Sequence, residues 1–283
     1  MDLRRYGDVA RFLEVAEGFL VAREAEHNLI LGITSDLRDA PEEFTGAPYL
    51  ATVMANGRVV AAAIQTPPFN VVLSEIDHPG AITAFASDLA ERDLPGALGP
   101  VEHVRAFVEA RRDHGGPPAR LVLSERVFSL TEVRLPAGVP GRFRPAEPTD
   151  RPLILDWMDA FMREALDASE PAEVAAMTDR WLARRGRSLY LWEDGEVVSL
   201  AGIGSPTPHG VRVGPVYTPP HRRRRGYASA LVAAISQAAI DAGRTFCFLF
   251  TNKANPTANH IYETIGYRPI RDVDMWRFER RGS

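Results

Sequence analysis

The sequence contains one cysteine, Cys247, among its 283 residues. A single thiol excludes an intrachain disulfide framework and any metal site built from several cysteines. No apolar run approaches the roughly 20 residues that cross a bilayer. The first residues, Met1 to Tyr6, are charged and lack the apolar core of a secretion signal. These absences predict a cytoplasmic protein with no membrane partner.

The chain also lacks an excess of basic residues. It has 33 Lys and Arg against 37 Asp and Glu, a formal net charge of -4. Nucleic-acid binding usually requires a clear basic excess or stripe, so we expect no nucleic-acid partner. Hydrophobic residues make up 45% of the chain and charged residues 25%, as in ordinary globular proteins. At roughly 100–200 residues per domain, the length predicts two domains.

The two halves of the sequence repeat one pattern. Asn56-Gly57 and Asp194-Gly195 each separate two apolar runs, which is a strong hairpin signal. The turn glycines lie 195 − 57 = 138 residues apart. Each half reads as helix, helix, hairpin, strand, helix, strand, helix, strands, which favours a duplication over two unrelated α+β domains. A segment rich in Pro and Gly, 135–141, separates the halves, so we predict domains at residues 1–137 and 141–283.

A basic, glycine-containing turn distinguishes the second half. The strand-like run Val211 to Tyr217 is followed by Arg223-Arg224-Arg225-Gly226-Tyr227-Ala228, and a helical pattern begins near Gly226. Free amides at a helix N-terminus attract anions, and glycine permits close backbone approach. This pattern predicts a pyrophosphate-binding loop, although consecutive arginines also occur on solvated faces and in nucleic-acid patches. The first half has Asp77-His78-Pro79-Gly80-Ala81 at this position and no such loop.

A second motif follows a short apolar run, Thr245 to Thr251, that is typical of a buried strand. Asn255 is a good helix N-cap and Pro256 fits the first helical position, so we predict a helix from Pro256 to Thr264. Ala258 and Tyr262 share a face of this helix, and the small Ala258 leaves room for a ligand beside the Tyr262 hydroxyl. The alternative is a core tyrosine whose hydroxyl is satisfied elsewhere.

Two further polar features have plain structural interpretations. Cys247 lies in the buried strand and has no histidine or carboxylate near it in sequence, so we expect a core thiol rather than a nucleophile. The segment Glu24 to Asn28 clusters polar groups late in the first helical region, Asp8 to Asn28. We expect it to be a solvated helix end, with a role in an acceptor cleft as the alternative.

With both motifs in place, residues from about 141 to 283 resemble the GNAT superfamily of acyl-CoA-dependent N-acyltransferases. The loop pattern of that family, Gln or Arg, two residues, Gly, one residue, then Gly or Ala, is present from Arg223 to Ala228. Its second motif is present as Asn255-Pro256-Thr257-Ala258, with Tyr262 before Gly266-Tyr267. The first half resembles a degenerate copy. The resemblance implies an α/β (α+β) fold of tandem GNAT-like domains, each a mixed, mostly antiparallel sheet flanked by helices.

The resemblance also implies a binding site for acetyl-CoA as acyl donor, with no metal. The sheet would splay after the strand ending near Tyr217, and pantetheine would pair with the backbone there. Amides from Arg224 to Ser229 would hold the pyrophosphate, and Asn255 would bind the pantetheine arm. The implied donor-site residues are Val216, Tyr217, Thr218, Arg223, Arg224, Arg225, Gly226, Tyr227, Ala228, Ser229, Asn255, Ala258 and Tyr262.

The expected reaction is direct attack of an amine on the thioester in a ternary complex, since no Ser-His-Asp or activated-cysteine pattern is present. Tyr262 would protonate the departing thiolate or hydrogen-bond to it. The general base is open, because Gly210 to Pro220 contains no acidic residue; Glu164 or a water relay are candidates. The alternatives are a longer acyl donor, an aminoacyl-tRNA donor and a non-catalytic acyl-CoA sensor. Neither the acceptor nor the choice between monomer and homodimer can be read from the sequence.

Overall fold

The computed structural model describes residues 1–166, 170–184 and 186–279. The chain forms two compact units. The first contains Met1–Val127, Asn252–Ala254 and Ile270–Ser283, and the second contains Phe128–Thr251 and Asn255–Pro269. Among the helices in the described ranges, none combines the length and the apolar character that a bilayer span requires.

The first half of the chain follows the predicted order of elements, with one short strand added at its start. Its elements are β1 (Asp2–Arg5), α1 (Val9–Val21), α2 (Asn28–Asp39), β2 (Tyr49–Ala55), β3 (Arg58–Gln65), β4 (Val71–Leu73), α3 (Gly80–Asp88), β5 (Gly96–Pro100), α4 (Val101–Asp113) and β6 (Ala119–Leu130).

The second half repeats this order. Its elements are β7 (Arg142–Pro145), α5 (Arg151–Leu166), α6 (Pro171–Leu182), β8 (Ser188–Asp194), β9 (Glu196–Gly204), β10 (Gly210–Tyr217), α7 (Tyr227–Asp241), β11 (Phe246–Asn252), α8 (Pro256–Ile265) and β12 (Arg268–Phe278). The mixed α/β class and the repeated pattern are therefore confirmed.

The sheet of the first unit runs in the order β1-β2-β3-β4-β5-β12-β6. Its strands are antiparallel except for the parallel pair β4 and β5 among those whose register is defined. Alternate residues of each strand face opposite sides. One face packs with α3 and α4 around Phe85 and Phe107, and the other packs with α1 and α2 around Phe12 and Leu20. An apolar layer thus lies against each face of the sheet.

The sheet of the second unit runs in the order β11-β10-β9-β8-β7. Only β10 and β11 are parallel among these neighbours. The face toward α7 and α8 buries a large cluster that includes Leu231, Cys247 and Tyr267. The opposite face packs with α5 and α6 around Ile154 and Met158. Burial raises the pKa of the Cys247 thiol to about 11, so the structure confirms the expected core cysteine.

Both predicted hairpins are present, and both depart from a regular ladder just before the turn. The register shifts between Val53 and Met54 in one and between Trp192 and Glu193 in the other.

Two predictions for the first half need correction. The helical region Asp8 to Asn28 is broken by turns after Val21, and the polar segment that follows is not solvated.

His27 shows why that segment is buried. Its side chain is 2% exposed, with Nδ1 2.9 Å from the Leu20 carbonyl oxygen. Nε2 accepts a hydrogen bond from the Glu75 amide at 3.1 Å. Nδ1 therefore carries the proton, and burial lowers the pKa of His27. The neutral ring links the α1–α2 connection to Glu75, in the segment that follows β4. The expected solvated helix end is wrong, because backbone groups satisfy both ring nitrogens.

Candidate functional site

The sheet of the second unit opens between β10 and β11. The two strands pair in parallel from Gly210–Phe246 to Arg212–Phe248, and no pairing follows within the described strands. Each strand nevertheless continues, β10 to Tyr217 and β11 to Asn252. The β10 ladder with β9 shifts register between Val213 and Val216. Such a bulge bends a strand, and it follows directly after the last β10–β11 pair, in the strand that ends at Tyr217.

The basic turn after β10 holds two residues in the left-handed backbone region. Arg224 has a φ of 62° and Gly226 a φ of 82°. This region favours glycine, since a side chain there is strained. A Cβ at position 226 would also lie 2.9 Å from Cγ2 of Val139. Glycine at 226 is thus required both by the backbone conformation and by the close approach of a neighbouring side chain.

Gly226 is the N-cap of α7, and no side chain caps this helix. The first intrahelical bond runs from the Ala230 amide to the Gly226 carbonyl at 2.9 Å. The preceding amides of Tyr227, Ala228 and Ser229 have no carbonyl one turn back to pair with. The Tyr227 side chain is buried and donates to Asp194 at 2.5 Å, which fixes the first turn of α7 to the β8–β9 hairpin. The helix therefore presents unused donors from an anchored position.

The four arginines of the turn divide into two roles. Arg222 pairs with Glu196, and Arg223 donates to Glu164 at 2.6 Å. Arg224 and Arg225 are exposed and form no ion pair within the described ranges. These two guanidinium groups supply uncompensated positive charge beside the free amides of α7.

A cavity of about 820 Å³ connects these features. It is within the usual range for small-molecule sites, roughly 300–1,000 Å³. Twelve of the residues proposed for the donor site line it, whereas Arg225 does not. The remaining lining includes three residues that the sequence motifs did not point to, Phe161, Pro220 and Ile261. The full lining is Phe161, Glu164, Val216, Tyr217, Thr218, Pro220, Arg222, Arg223, Arg224, Gly226, Tyr227, Ala228, Ser229, Asn255, Thr257, Ala258, Ile261 and Tyr262.

Helix α8 forms one wall of this cavity. The side-chain oxygen of Asn255 accepts from the Ala258 amide at 3.0 Å, as predicted for an N-cap. Because the cap occupies that oxygen, Asn255 would meet a ligand through its amide nitrogen. Gly266 ends the helix with a φ of 118°, and a Cβ there would lie 2.6 Å from the Glu132 carbonyl oxygen. Both ends of α8 are therefore fixed by local chemistry.

Tyr262 lies in the lining of the cavity. Its side chain is 9% exposed and packs near the rings of Phe128 and Tyr267, with centroids 6.4 and 5.9 Å away. Its hydroxyl forms no hydrogen bond with any described residue. Burial raises the pKa of Tyr262 to about 12, so the phenol stays protonated at neutral pH. The site thus holds a buried proton donor with no protein acceptor.

The opposite wall carries the ion pair of Glu164 and Arg223. Arg223 is folded back from the loop: Nε donates to the Thr218 carbonyl at 2.8 Å, and its guanidinium carbon lies 5.8 Å from the Tyr217 ring centroid. Burial, with the negative charge of Glu164, raises the pKa of Tyr217. Behind Tyr217 the ring of Trp157 packs at 6.0 Å. This wall combines one carboxylate with aromatic surface.

Ser199 fixes the end of β10 from the neighbouring strand. Its hydroxyl donates to the Tyr217 carbonyl at 3.1 Å and lies 2.8 Å from the Thr218 hydroxyl. Because Ser199 has one proton, Thr218 must donate to Ser199. These two hydrogen bonds hold the backbone at Tyr217 and Thr218, where β10 ends.

The first unit differs at the equivalent positions. Counting from the first residue of each helix, Tyr262 of α8 corresponds to Phe107 of α4, and Ala258 corresponds to His103. Phe107 is fully buried and has no hydroxyl to donate. His103 hydrogen-bonds Glu75, whose carboxylate also accepts from Arg271 at 3.0 Å. At these two positions α4 has neither the hydroxyl nor the small side chain that α8 has.

The same cluster contains the one metal-like grouping among the described residues. Ligand atoms of Glu75, Glu102 and His103 lie within 4.8 Å of one another. The Arg271 guanidinium contacts both carboxylates and supplies the positive charge that a metal ion would bring. We therefore interpret the cluster as an ion-pair network.

Residues 153–267 match the family model described as the acetyltransferase (GNAT) family. This part of the chain is a GNAT-family domain. The match contains β10, the basic turn, α7 and α8, which together form the cavity. No curated protein matches the chain.

Solved structures extend the likeness of fold beyond the GNAT domain. A Drosophila protein aligns with a TM-score of 0.69 and 13% identity, over 99% of both chains. A GNAT-family acetyltransferase from Colwellia psychrerythraea gives 0.57 and 11%, over 99% of this chain and all of that one. A tandem GNAT protein from the clavulanic acid biosynthesis pathway gives 0.58 and 13%, over the full length of both. At these identities the likeness shows the fold, which is the tandem arrangement that the repeated pattern predicted.

Proposed function

We propose that the GNAT domain transfers an acetyl group from acetyl-CoA to an amine of a small molecule or peptide. The family and fold are those of acyltransferases. The observation that carries the finer proposal is one cavity that joins the free amides of α7 to the hydroxyl of Tyr262. Candidate anion-binding amides and a proton donor in the lining of one cavity suit a thioester attached to a diphosphate.

The residues present fit the donor substrate. The amides of Tyr227 to Ser229, with Arg224, would hold the diphosphate. The backbone of Val216 to Thr218 faces the opening of the sheet and would pair with the pantetheine amides. The amide nitrogen of Asn255 would contact the same arm. A backbone amide near Tyr217 would polarise the thioester carbonyl, as oxyanion-stabilising donors do.

Tyr262 would act on the leaving group. Attack by the amine breaks the carbon–sulfur bond and leaves the electron pair on sulfur, so a nearby hydroxyl stabilises the thiolate. Since the hydroxyl has no described acceptor in the protein, it is available for this hydrogen bond without losing another. Holding both reactants in one cavity supplies much of the rate by orientation.

The acceptor would enter beside Glu164. An alkylamine with a pKa of about 10.4 arrives protonated at neutral pH, so a carboxylate can hold the ammonium and a proton must then leave. Glu164 lines the cavity but is paired with Arg223. It can serve as base only when that pair opens, and a water relay is the alternative. β10 contains no acidic residue. Among the described residues that line the cavity, Glu164 is the one carboxylate.

Thiol release from acetyl-CoA, measured across a panel of amines, tests the proposal. We expect release that depends on the amine and that falls roughly 10- to 100-fold in Tyr262→Phe but is kept in Tyr267→Phe, a neighbouring buried tyrosine outside the cavity lining. Longer acyl-CoA donors run in parallel distinguish the donor. If the protein binds CoA in calorimetry yet releases no thiol with any amine or donor, the non-catalytic sensor replaces the enzyme.

A further inference from the structure

The first unit contains a second large cavity, of about 850 Å³, which the acyltransferase reaction does not use. Its floor is a row of apolar side chains on one sheet face. The strand registers place Ile64 beside Val72, Val72 beside Leu98, and Leu98 beside Met275. Val122 of β6 lies on the same surface. An apolar row thus crosses five strands.

Helices cover only part of this row among the described elements. Ile64 and Val72 pack against α1 and α2 in a buried cluster. Leu98 and Met275 belong to none of the described hydrophobic clusters and are half-buried. The covered and uncovered parts meet along α2, whose Leu29 and Ile33 form a wall of the cavity.

The rim of the cavity is held in place. Phe69 is 64% exposed and lines the cavity. The turn that carries it is closed by a bond from the Phe69 amide to the Thr66 carbonyl at 2.8 Å. Gln65 donates to the Phe69 carbonyl at 2.9 Å and accepts from Arg92 at 2.7 Å. The aromatic rim therefore stands on a fixed loop.

One part of the lining carries positive charge without a partner. Arg120 and Arg277 are exposed, and neither forms an ion pair or side-chain hydrogen bond in the described ranges. Two acidic residues also line the cavity. Asp36 already has an interaction partner, whereas Glu279 has no described side-chain partner and opposes the arginine charge. Among the described lining residues, two arginines and one glutamate have no side-chain partner, so positive charge is in excess.

We propose that this cavity binds a small molecule that joins an apolar body to a carboxylate. The apolar body covers Leu98 and Met275 and contacts the ring of Phe69. The carboxylate pairs with Arg120 and Arg277, where arginine gives two parallel hydrogen bonds to such a group. Burial of the uncovered apolar row supplies the main favourable free energy, and the arginines select the anion. The site is independent of the acyltransferase proposal.

Isothermal titration of the full chain with decanoate, decan-1-ol and decyltrimethylammonium tests this. We expect decanoate to bind at least about tenfold more tightly than the other two, because a hydrogen bond to a charged group is worth about a factor of ten or more. Coenzyme A added in excess should leave the decanoate affinity unchanged. Equal affinities for decanoate and decan-1-ol, competition by coenzyme A, or no decanoate binding would each overturn the proposal.

Variants locate the site. Arg120→Ala and Arg277→Ala should each weaken decanoate binding about tenfold and leave decan-1-ol unchanged. Glu279→Gln should strengthen decanoate binding, because it removes the opposing charge. Arg105→Ala, an exposed arginine on α4 outside the lining, is the matched control. All of these side chains are exposed, so folding should persist, and circular dichroism checks it. Decanoate affinities unchanged in both lining arginine variants would contradict the site.

Discussion

Replacing Tyr262 with Phe removes only the hydroxyl group, so its effect on turnover can be compared directly with its effect on stability. Burial raises the pKa of Tyr262 to about 12. A thiol has a pKa of about 8.5, so full proton transfer from this phenol to a thiolate is uphill by roughly 5 kcal/mol. The structure therefore favours a hydrogen bond to the developing thiolate over complete protonation. A hydrogen bond to a charged group contributes about 1.5–3 kcal/mol.

We expect turnover in Tyr262→Phe to fall roughly 10- to 100-fold. The affinity for CoA should change little, because the diphosphate is held at α7. The free energy of unfolding should stay within about 0.5 kcal/mol, since the hydroxyl has no described hydrogen-bond partner to lose. Steady-state kinetics, CoA calorimetry and urea unfolding measure the three quantities.

Tyr267→Phe is the matched control, for which we expect a loss of stability rather than of turnover. The Tyr267 hydroxyl lies 2.8 Å from the Ser236 hydroxyl in the fully buried core. Its removal leaves Ser236 without this partner and should cost about 1–3 kcal/mol of stability with little change in turnover. The reasoning is refuted if Tyr262→Phe keeps wild-type turnover, or if its only effect is on stability.

Three other changes test local features. Gly226→Ala should cost about 1–2 kcal/mol of stability and weaken CoA binding, because position 226 has positive φ and lies close to Val139. Asn255→Ala should cost about 1 kcal/mol in thermal unfolding by removing the α8 cap. Arg126 holds the pKa of Asp272 down to about 2. This carboxylate should therefore contribute about 1 kcal/mol, present above pH ~4 and lost as the pH falls toward 2, a slope that Asp272→Asn should remove.

Local sequence signals predicted the elements and the position of the basic turn because their causes are local. Asn-Gly and Asp-Gly turns need two neighbouring residues, and the cap of Asn255 on Ala258 spans three. The left-handed conformation of Gly226 follows from the absence of a Cβ. Such features can be read from short windows, so the order of helices, hairpins and the basic turn was predictable.

Other features depend on residues that are distant in sequence. The ladder between β10 and β11 ends at Arg212, just before the register of β10 with β9 shifts. Arg223 pairs with Glu164, 59 residues away, and the basic motif gave no sign of this partner. The division into two units places Ile270 onward with the first unit. Strand pairing over such separations leaves no signal in a short window.

The most direct test of the central claim is calorimetric titration of the folded protein with coenzyme A. The free amides of α7 and the unpaired Arg224 predict saturable binding at one site per chain, strongly weakened when pantetheine, which lacks the nucleotide diphosphate, replaces coenzyme A. Absence of binding by folded protein, or equal affinity for pantetheine, would contradict a diphosphate site at this helix.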